Sequence, residues 1–415
     1  MKYDHIPGPP RSSFLFGHSL TMLRAMENDG GVHQKMLEWL NTLPYIIICV
    51  LCPETTKDIM MSPKYPKGEL AYRKIVNLFG QRFLGNGLVT ALDHEKWYKQ
   101  RRIIDPVQYL RSLMGTFNER AEKLISKLSD AADNKTETNM LQLFNGLTLD
   151  VIAKVAYGVD LDLLQNITRI SEGIDLCLKG MIYYVRDVFF EFKPKNKPFI
   201  NKVREACHLL CITGAQWIRE RKTAMQNGED VPKDILTQII KVMENMTEED
   251  EELMLDNFVT FLIVGQETTA NLLAFLCHVL KETLRLYSTA PGMALYVPED
   301  RVIIGIHIPG GNSYIFNSYV SGRLNKFFPD PLTFDPDRFH PDAPKPYYSY
   351  YPFALGPRSC LGQNFAQIEA KVVMAKLLQR FDFTLVPGQS FCIQDNGTLK
   401  PKSGTLCYIT HRNYD

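Results

Sequence analysis

Apolar residues recur at three- and four-residue intervals through most of the first two thirds of the chain, the spacing that lines one face of an α-helix. Three stretches show it plainly: RSLMGTFNERAEKLISKLSDAAD (111–133), NMLQLFNGLTLDVIAKVAYG (139–158) and INKVREACHLLCITGAQWIRERKTAM (200–225). The acidic run TEEDEE (247–252) suits a helix start, where negative charge meets the positive end of the macrodipole. From there an apolar pattern runs from Leu253 to Tyr287 with one glycine, Gly265. Beyond Pro291 the period changes, and the short runs MALYVPED, RVIIGIHIPGG and NSYIFNSYV, separated by turn residues, predict strands and hairpins. LPYIIICVLCPETTKDIMM (43–61) has room for one strand. The proline-rich FFPDPLTFDPDRFHPDAPKP excludes regular structure and must run over the surface. A closing helix from Leu361 to about Phe381 and a small β region (FTLV, LCYIT) finish the chain. The sum is a mainly α chain with a minor β region, an α+β fold. It reads as one domain over 1–415, with β-rich parts about 45–60, 294–320 and 383–410.

With 45% hydrophobic residues among 415, the chain can bury a large core. Its 47 Lys and Arg nearly cancel 46 Asp and Glu, which gives no reason to expect a nucleic-acid partner and favours an apolar one. Nine scattered cysteines are an odd count without the density of a disulfide scaffold, so a reducing compartment is expected. Asn-x-Ser/Thr triplets at Asn134, Asn166, Asn245 and Asn396 read as chance. No stretch approaches the roughly 20 apolar residues that span a bilayer, and no signal peptide opens the chain. Pro7, Pro9 and Pro10 in HIPGPP stiffen a short extended opening. No G-x-G-x-x-G or G-x-x-x-x-G-K-[ST] motif offers a nucleotide site.

One cysteine differs from the rest. In PFALGPRSCLGQNFAQIEA, Cys360 lies between Gly356 and Gly362, with Arg358 two residues ahead and a helical run behind. The others fit small buried hydrophobes, and the Cys49/Cys52 pair lacks a second pair to complete a zinc site. A helix N-terminus favours thiolate over thiol, so Cys360 is a nucleophile or a metal ligand. No base or cysteine-protease signature surrounds it, and Arg358 precedes the cysteine where a phosphatase-type loop would carry its arginine after it. An axial thiolate to haem accounts for the rest. Gly356 permits a sharp turn, Gly362 lets a helix approach a flat macrocycle, and Arg358 suits a propionate.

The order Phe353, Gly356, Arg358, Cys360, Gly362 resembles the haem-binding loop of the cytochrome P-450 monooxygenases. Three further motifs follow the family's order. KETLR supplies Glu282 and Arg285, which would be a solvated surface pair in isolation. FDPDRF supplies Arg338, and the three together resemble the family's Glu-Arg-Arg network. WYKQRR places Trp97 and Arg101 four apart, as in the family's propionate-pairing helix, with Lys96, Lys99 and Arg102 leaving a basic surface. VGQETT sits mid-helix, where Gly265, Glu267 and Thr268 lower helix propensity for no packing gain. It resembles the family's oxygen-activating groove, in which the helix opens at Gly265, with Val264 in place of the usual alanine. The resemblance gives Thr268 the hydrogen bond to activated oxygen and Glu267 the relay of protons.

The resemblance implies haem b with Cys360 as axial ligand, O2, electrons from an NADPH–cytochrome reductase flavoprotein docked on the basic face, and the cytosolic side of the endoplasmic reticulum membrane. YDHIPGPP, DILTQI, LDNFVTF, DAPKP and KVVMAKLLQRF are similar to the cholesterol 24-hydroxylases, which implies a sterol-like substrate. Pocket candidates are Tyr72, Phe79, Leu84, Val89, Phe261, Val264, Gly397 and Thr398. The TAPGMAL stretch, with Pro291, Ala294 and Leu295, departs from those enzymes at the pocket roof. Thr268 and Glu282 are only 14 positions apart, roughly 21 Å along one straight helix, and the family places more chain between them. Internal blocks and the family's membrane anchor are therefore expected to be missing. That leaves open a haem- or lipid-binding protein without turnover, and a haem-thiolate isomerase.

Overall fold

A computed structural model of the chain describes residues 48–413 apart from 105–109, 165–168, 188, 243–246, 276–279, 345, 391 and 396. The opening prolines and three of the four Asn-x-Ser/Thr triplets begin outside these residues. The helices in chain order are α1 (Pro53–Met60), α2 (Glu69–Val76), α3 (His94–Ile104), α4 (Leu110–Asp130), α5 (Met140–Tyr157), α6 (Arg169–Arg186), α7 (Lys197–Gln226), α8 (Ile235–Val242), α9 (Glu248–Phe275), α10 (Leu280–Leu286) and α11 (Gln363–Arg380). The strands are β1 (Ile48–Cys49), β2 (Asn77–Leu78), β3 (Gln81–Arg82), β4 (Thr138–Asn139), β5 (Gly292–Val297), β6 (Arg301–Ile303), β7 (Ile306–Ile308), β8 (Asn312–Asn317), β9 (Phe381–Leu385), β10 (Ile393–Asp395), β11 (Leu399–Pro401) and β12 (Leu406–His411). The chain divides into two compact units, a helical one (72–274, 361–390 and 403–415) and a β-rich one (1–71, 275–360 and 391–402).

In the helical unit the ends of the long helices carry the stop and start signals their sequences encode. Asn139 caps α5 by accepting from the Gln142 amide, and Gly158, at φ +68°, closes it in the left-handed region that glycine adopts freely. Thr247 and Asp250 form a reciprocal capping box at α9: the Asp250 amide donates to Thr247 Oγ1, and Asp250 Oδ2 accepts from the Thr247 amide, each at 3.2 Å. The acidic TEEDEE run is thus a helix start. The body of α9 is buried, with Phe258, Leu262 and Ile263 packed in one cluster with Leu149 and Ile152 of α5, Cys177 of α6 and Leu210 of α7. A second cluster joins Phe117 of α4 and Val151 of α5 to Phe365 and Ile368 of α11. The strands β4, β12 and β9 form a small sheet in that order.

The β-rich unit is built on a sheet of order β1-β8-β5, with β5 and β8 antiparallel from Gly292↔Asn317 to Val297↔Asn312. Its core gathers Val50, Ile59, Tyr65, Leu295, Tyr314 and Phe316. The β6–β7 and β10–β11 hairpins complete it.

Two sequence expectations need correction. The described residues of the 45–60 stretch are not β-rich: the strand there is only Ile48–Cys49, and 53–60 form α1, started by Pro53 at a first-turn position where its missing N–H costs nothing. Of the apolar run from Leu253 to Tyr287, the described residues are helical on either side of 276–279, in α9 to Phe275 and in α10 from Leu280. By length and composition α9 could cross a bilayer, but 72% of its apolar window is buried inside the protein, as in a core helix.

Glu369 of α11 is fully buried, and neither carboxyl oxygen has a hydrogen-bond partner among the described residues. Burial pushes its pKa well above the carboxylate range. The folded chain therefore keeps a proton that the unfolded chain releases above about pH 4.3, so stability declines as pH rises toward the folded pKa. Glu369→Met is expected to flatten the dependence of thermal stability on pH between about 5 and 8 and to exceed the wild type at the upper end. Unfolding curves of both proteins across that range check this, and equal slopes would refute it.

Candidate active site

The Cys360 loop folds on itself through backbone bonds. Ala354 N donates to Tyr351 O at 3.0 Å, Ser359 N to Gly356 O at 3.0 Å and Cys360 N to Phe353 O at 2.8 Å. Gly356–Arg358 make one turn of 3-10 helix. Gly356 is at φ +68°, and a Cβ there would come within 2.2 Å of Met60 O, so only glycine lets the loop close over the end of α1. The Cys360 thiol is exposed and outside any disulfide. It stands two residues before Gly362, the N-cap of α11, so the thiol belongs to the loop and not to the first helical turn. Phe353, Arg358 and Gly362 are half-buried around it.

In the same unit the Glu-x-x-Arg pair is not a solvated surface pair. Glu282 and Arg285 are 0% and 1% exposed, and Arg285 grips Glu282 with two bonds, Nη2 to Oε1 at 2.6 Å and Nε to Oε2 at 2.7 Å. Arg285 Nη1 also donates to Gly322 O and Pro331 O at 2.5 and 2.7 Å. Arg338 completes the network, its Nε 3.4 Å from Glu282 Oε1, while its other nitrogens bind the carbonyls of Pro329 and Asp330. Glu282 Oε1 further accepts from the Asp335 amide at 2.9 Å. One buried carboxylate thus ties an irregular proline-rich segment to α10, the kind of fixation such a segment needs because it has no ladder of its own.

In the helical unit Trp97 is buried with Leu88, Ala91 and Leu361, the residue directly after Cys360. The Arg101 guanidinium lies 5.7 Å from the Trp97 ring centroid. The lysines expected to leave a basic face are engaged: Lys96 pairs with Glu249 at 2.7 Å and Lys99 with Asp250 at 3.6 Å. Both lysines are largely exposed, and such pairs are weak and easily exchanged.

On α9, Gly265 does have a packing reason. A Cβ there would lie 2.7 Å from Ile152 Cγ1, so the glycine sets the close approach of α9 to α5. The helix is continuous from 248 to 275 across it. Polar side chains around it bond helix carbonyls and one another. Thr268 Oγ1 bonds Val264 O one turn back at 2.8 Å, and Thr148 Oγ1 of α5 lies 3.1 Å from Gln266 O and 2.9 Å from Phe144 O, sharing its proton between them. Asn145 Oδ1 accepts from Gln266 Nε2 at 3.3 Å. Glu267 is buried at 4% exposure.

The chain matches the family model of Cytochrome P450 over residues 7–277 and again over 271–408. The chain belongs to the cytochrome P450 family. It is 25% identical to Cytochrome P450 4c3 of Drosophila melanogaster, covering 100% of this chain and 90% of that one. It is 27% identical to Secologanin synthase 2 of Catharanthus roseus over 88% of this chain and 79% of that one. A crystal structure of the cytochrome P450DA heme domain superposes with a TM-score of 0.81 at 20% identity, covering 98% of each chain, which shows the shared fold. None of these names is a sterol hydroxylase. The alignment with Cytochrome P450 4c3 runs over 499 positions against the 415 residues here, so at least 84 positions lack a counterpart in this chain. The two matches to the family model overlap at 271–277, which takes in the last described residues of α9.

P450s are haem-thiolate monooxygenases that hold haem b through a cysteine. The exposed Cys360 thiol on a backbone-locked, glycine-dependent loop is a donor of the required chemistry, so this P450's own residues fit the group. The pocket candidates divide between the units. Phe79 and Leu84 are buried in the main helical cluster, and Phe261 packs partly buried against it. Phe79 and Gly80, at φ +49° and +83°, form the turn of the β2–β3 hairpin, and the Phe79 ring lies 4.6 Å from Tyr184. That makes Phe79 a core residue. Tyr72, Val89 and Val264 are half-buried. Gly397 and Thr398 occupy the β10–β11 turn of the other unit. At the supposed roof, Leu295 points into the β-rich core. Sequence reading missed Asn145 and Thr148. They lie three apart on α5 among other polar residues, Gln142, Asp150 and Lys154, so no local signal marked them.

Proposed function

We propose that this P450 inserts one atom of O2 into a C–H bond of a lipophilic substrate, with Cys360 as the axial ligand. Bound haem supplies the oxidising chemistry, and the thiolate donates electron density to it. The observation that carries the reading is the exposed Cys360 thiol in its Gly356-dependent loop, followed at once by Leu361 against Trp97. Trp97, Arg101 and Arg358 are the residues to hold the propionates, Phe353, Gly356 and Gly362 to shape the haem-facing loop, and Glu282, Arg285 and Arg338 to brace the segment before it. Thr268 would hold a proton at Oγ1, which it now donates to Val264 O, and Glu267 would relay protons. Tyr72, Leu84, Val89, Phe261, Val264, Gly397 and Thr398 are the proposed substrate contacts.

A sterol is the narrower proposal, supported by the segments similar to cholesterol 24-hydroxylases and by the apolar character of those contacts. The proposal includes docking of a flavoprotein NADPH reductase and residence on the cytosolic face of the endoplasmic reticulum membrane. Exposed Phe189 and Phe192 beside exposed Lys195 and Lys197 have the chemistry of a membrane-surface contact. A second reading, a haem-binding protein without turnover, is favoured by the 84 or more unmatched positions. Reconstitution with NADPH and reductase, offering cholesterol and lauric acid in parallel, decides. Hydroxylated product coupled to NADPH consumption supports the monooxygenase, and the better substrate selects its class. Haem binding with uncoupled NADPH loss or none supports the second reading.

A further inference from the structure

Two successive side chains of α9 hold the loop that follows the β2–β3 hairpin. Arg82 forks onto Asp256, Nε to Oδ1 and Nη2 to Oδ2, both at 2.8 Å, and Asp256 Oδ2 also accepts from the Asn86 amide at 2.7 Å. One residue on, Asn257 Oδ1 accepts from the Leu88 amide at 2.9 Å, and its Nδ2 donates to Gln100 Oε1 at 2.9 Å. Gln100 closes the circuit by donating to Asn86 O at 3.2 Å. Asp256, Asn257 and Gln100 are buried. Gly85, at φ +48°, makes the approach possible, since a Cβ there would sit 1.9 Å from Asp256 Oδ1. A Cβ on Gly87 would lie 2.7 Å from Thr260 Oγ1. The loop bonds itself at Gly87 N to Leu84 O and Thr90 N to Gly87 O, while the Asn86 and Leu88 amides end on side chains of one rigid helix. Burial raises the Asp256 pKa and the Arg82 bond opposes that shift, so the charge depends on this partner.

We propose that Asp256 and Asn257 are positioning residues that fix the 82–90 loop against α9 and thereby set which ligands the site admits. This rests on the reading above, in which Leu84 and Val89 of the loop and Phe261 and Val264 of α9 line the pocket. Phe261 lies four residues beyond Asn257 on the same helix, so the helix that holds the loop also presents the opposite wall. A slip of the loop along α9 changes the spacing between these two walls and leaves the Cys360 loop's internal bonds intact.

The test uses the haem-loaded full chain with Asn257→Ala and Arg82→Met, the latter altering a side chain 34% exposed. Residue-resolved hydrogen exchange is expected to accelerate at the Leu88 amide in Asn257→Ala, and at the Asn86 amide in Arg82→Met, by about tenfold or more. The absorption shifts produced by imidazole and by the bulky azole clotrimazole report binding. The ratio of the two affinities is expected to change about fivefold or more while the carbon monoxide spectrum stays that of the wild type. Unchanged exchange overturns the clamp. Faster exchange with an unchanged affinity ratio reduces these residues to a structural brace and overturns the selectivity role. Absence of a thiolate spectrum in the wild type would instead sink the haem reading, and the exchange result would still stand or fall alone.

Discussion

Cys360→Ser is expected to remove the strongly red-shifted Soret band of the reduced, carbon monoxide-bound protein and to lower turnover by about 10³-fold or more, roughly 4 kcal/mol of barrier. A hydroxyl is not deprotonated near neutral pH and donates far less electron density than a thiolate, so the change acts on the chemistry directly. The fold should survive it. The loop is held by the Cys360 amide on Phe353 O, by the 3-10 turn and by Gly356 over Met60, none of which uses the sulfur. Gly356→Ala is the contrasting variant. It forces a Cβ into Met60 O and a side chain into positive φ, so the loop itself should open and haem content should fall while the thiol remains. Thermal unfolding, haem stoichiometry and the carbon monoxide spectrum separate the two. A Cys360→Ser protein with an unaltered red-shifted band would show that another residue is the ligand.

What was legible in the sequence was mostly local. The helices α4, α5 and α7 follow from apolar periodicity, the start of α9 from its acidic first turn, and the turn of the cysteine loop from Gly356, whose positive φ is a local need although Met60, far earlier in the chain, also demands it. What was hidden depends on partners far along the chain. The mid-helix Gly265 looked like lost propensity because Ile152, 113 positions earlier, is what it accommodates. Lys96 and Lys99 looked like a bare basic face because their partners, Glu249 and Asp250, had already been assigned to a helix start. Asp256 carries no local signal, since its partner Arg82 and the Gly85 that admits it lie far earlier in the chain.

Among stability changes, the largest is expected at the Glu282–Arg285 pair. Arg285→Ala should cost about 3–5 kcal/mol, because it leaves the Glu282 carboxylate buried without its counter-charge. It also frees the carbonyls of Gly322, Pro331 and Thr333 from their donor. Arg285→Lys should recover little, since one ammonium cannot reproduce a two-pronged grip on the carboxylate together with bonds to three carbonyls. Arg338→Ala should be milder: Arg338 stands 3.4 Å from the carboxylate, and its side chain is 12% exposed. The double variant Glu282→Leu with Arg285→Met removes both charges, and it is expected to be less damaged than Arg285→Ala alone, which a double-mutant cycle in urea would read as a large coupling energy. Loss of haem should track loss of stability across the series, because the pair anchors the segment that leads into the Cys360 loop. An Arg285→Ala protein within about 1 kcal/mol of wild type would mean that water or a shifted side chain satisfies Glu282, and that the network is not what holds the segment in place.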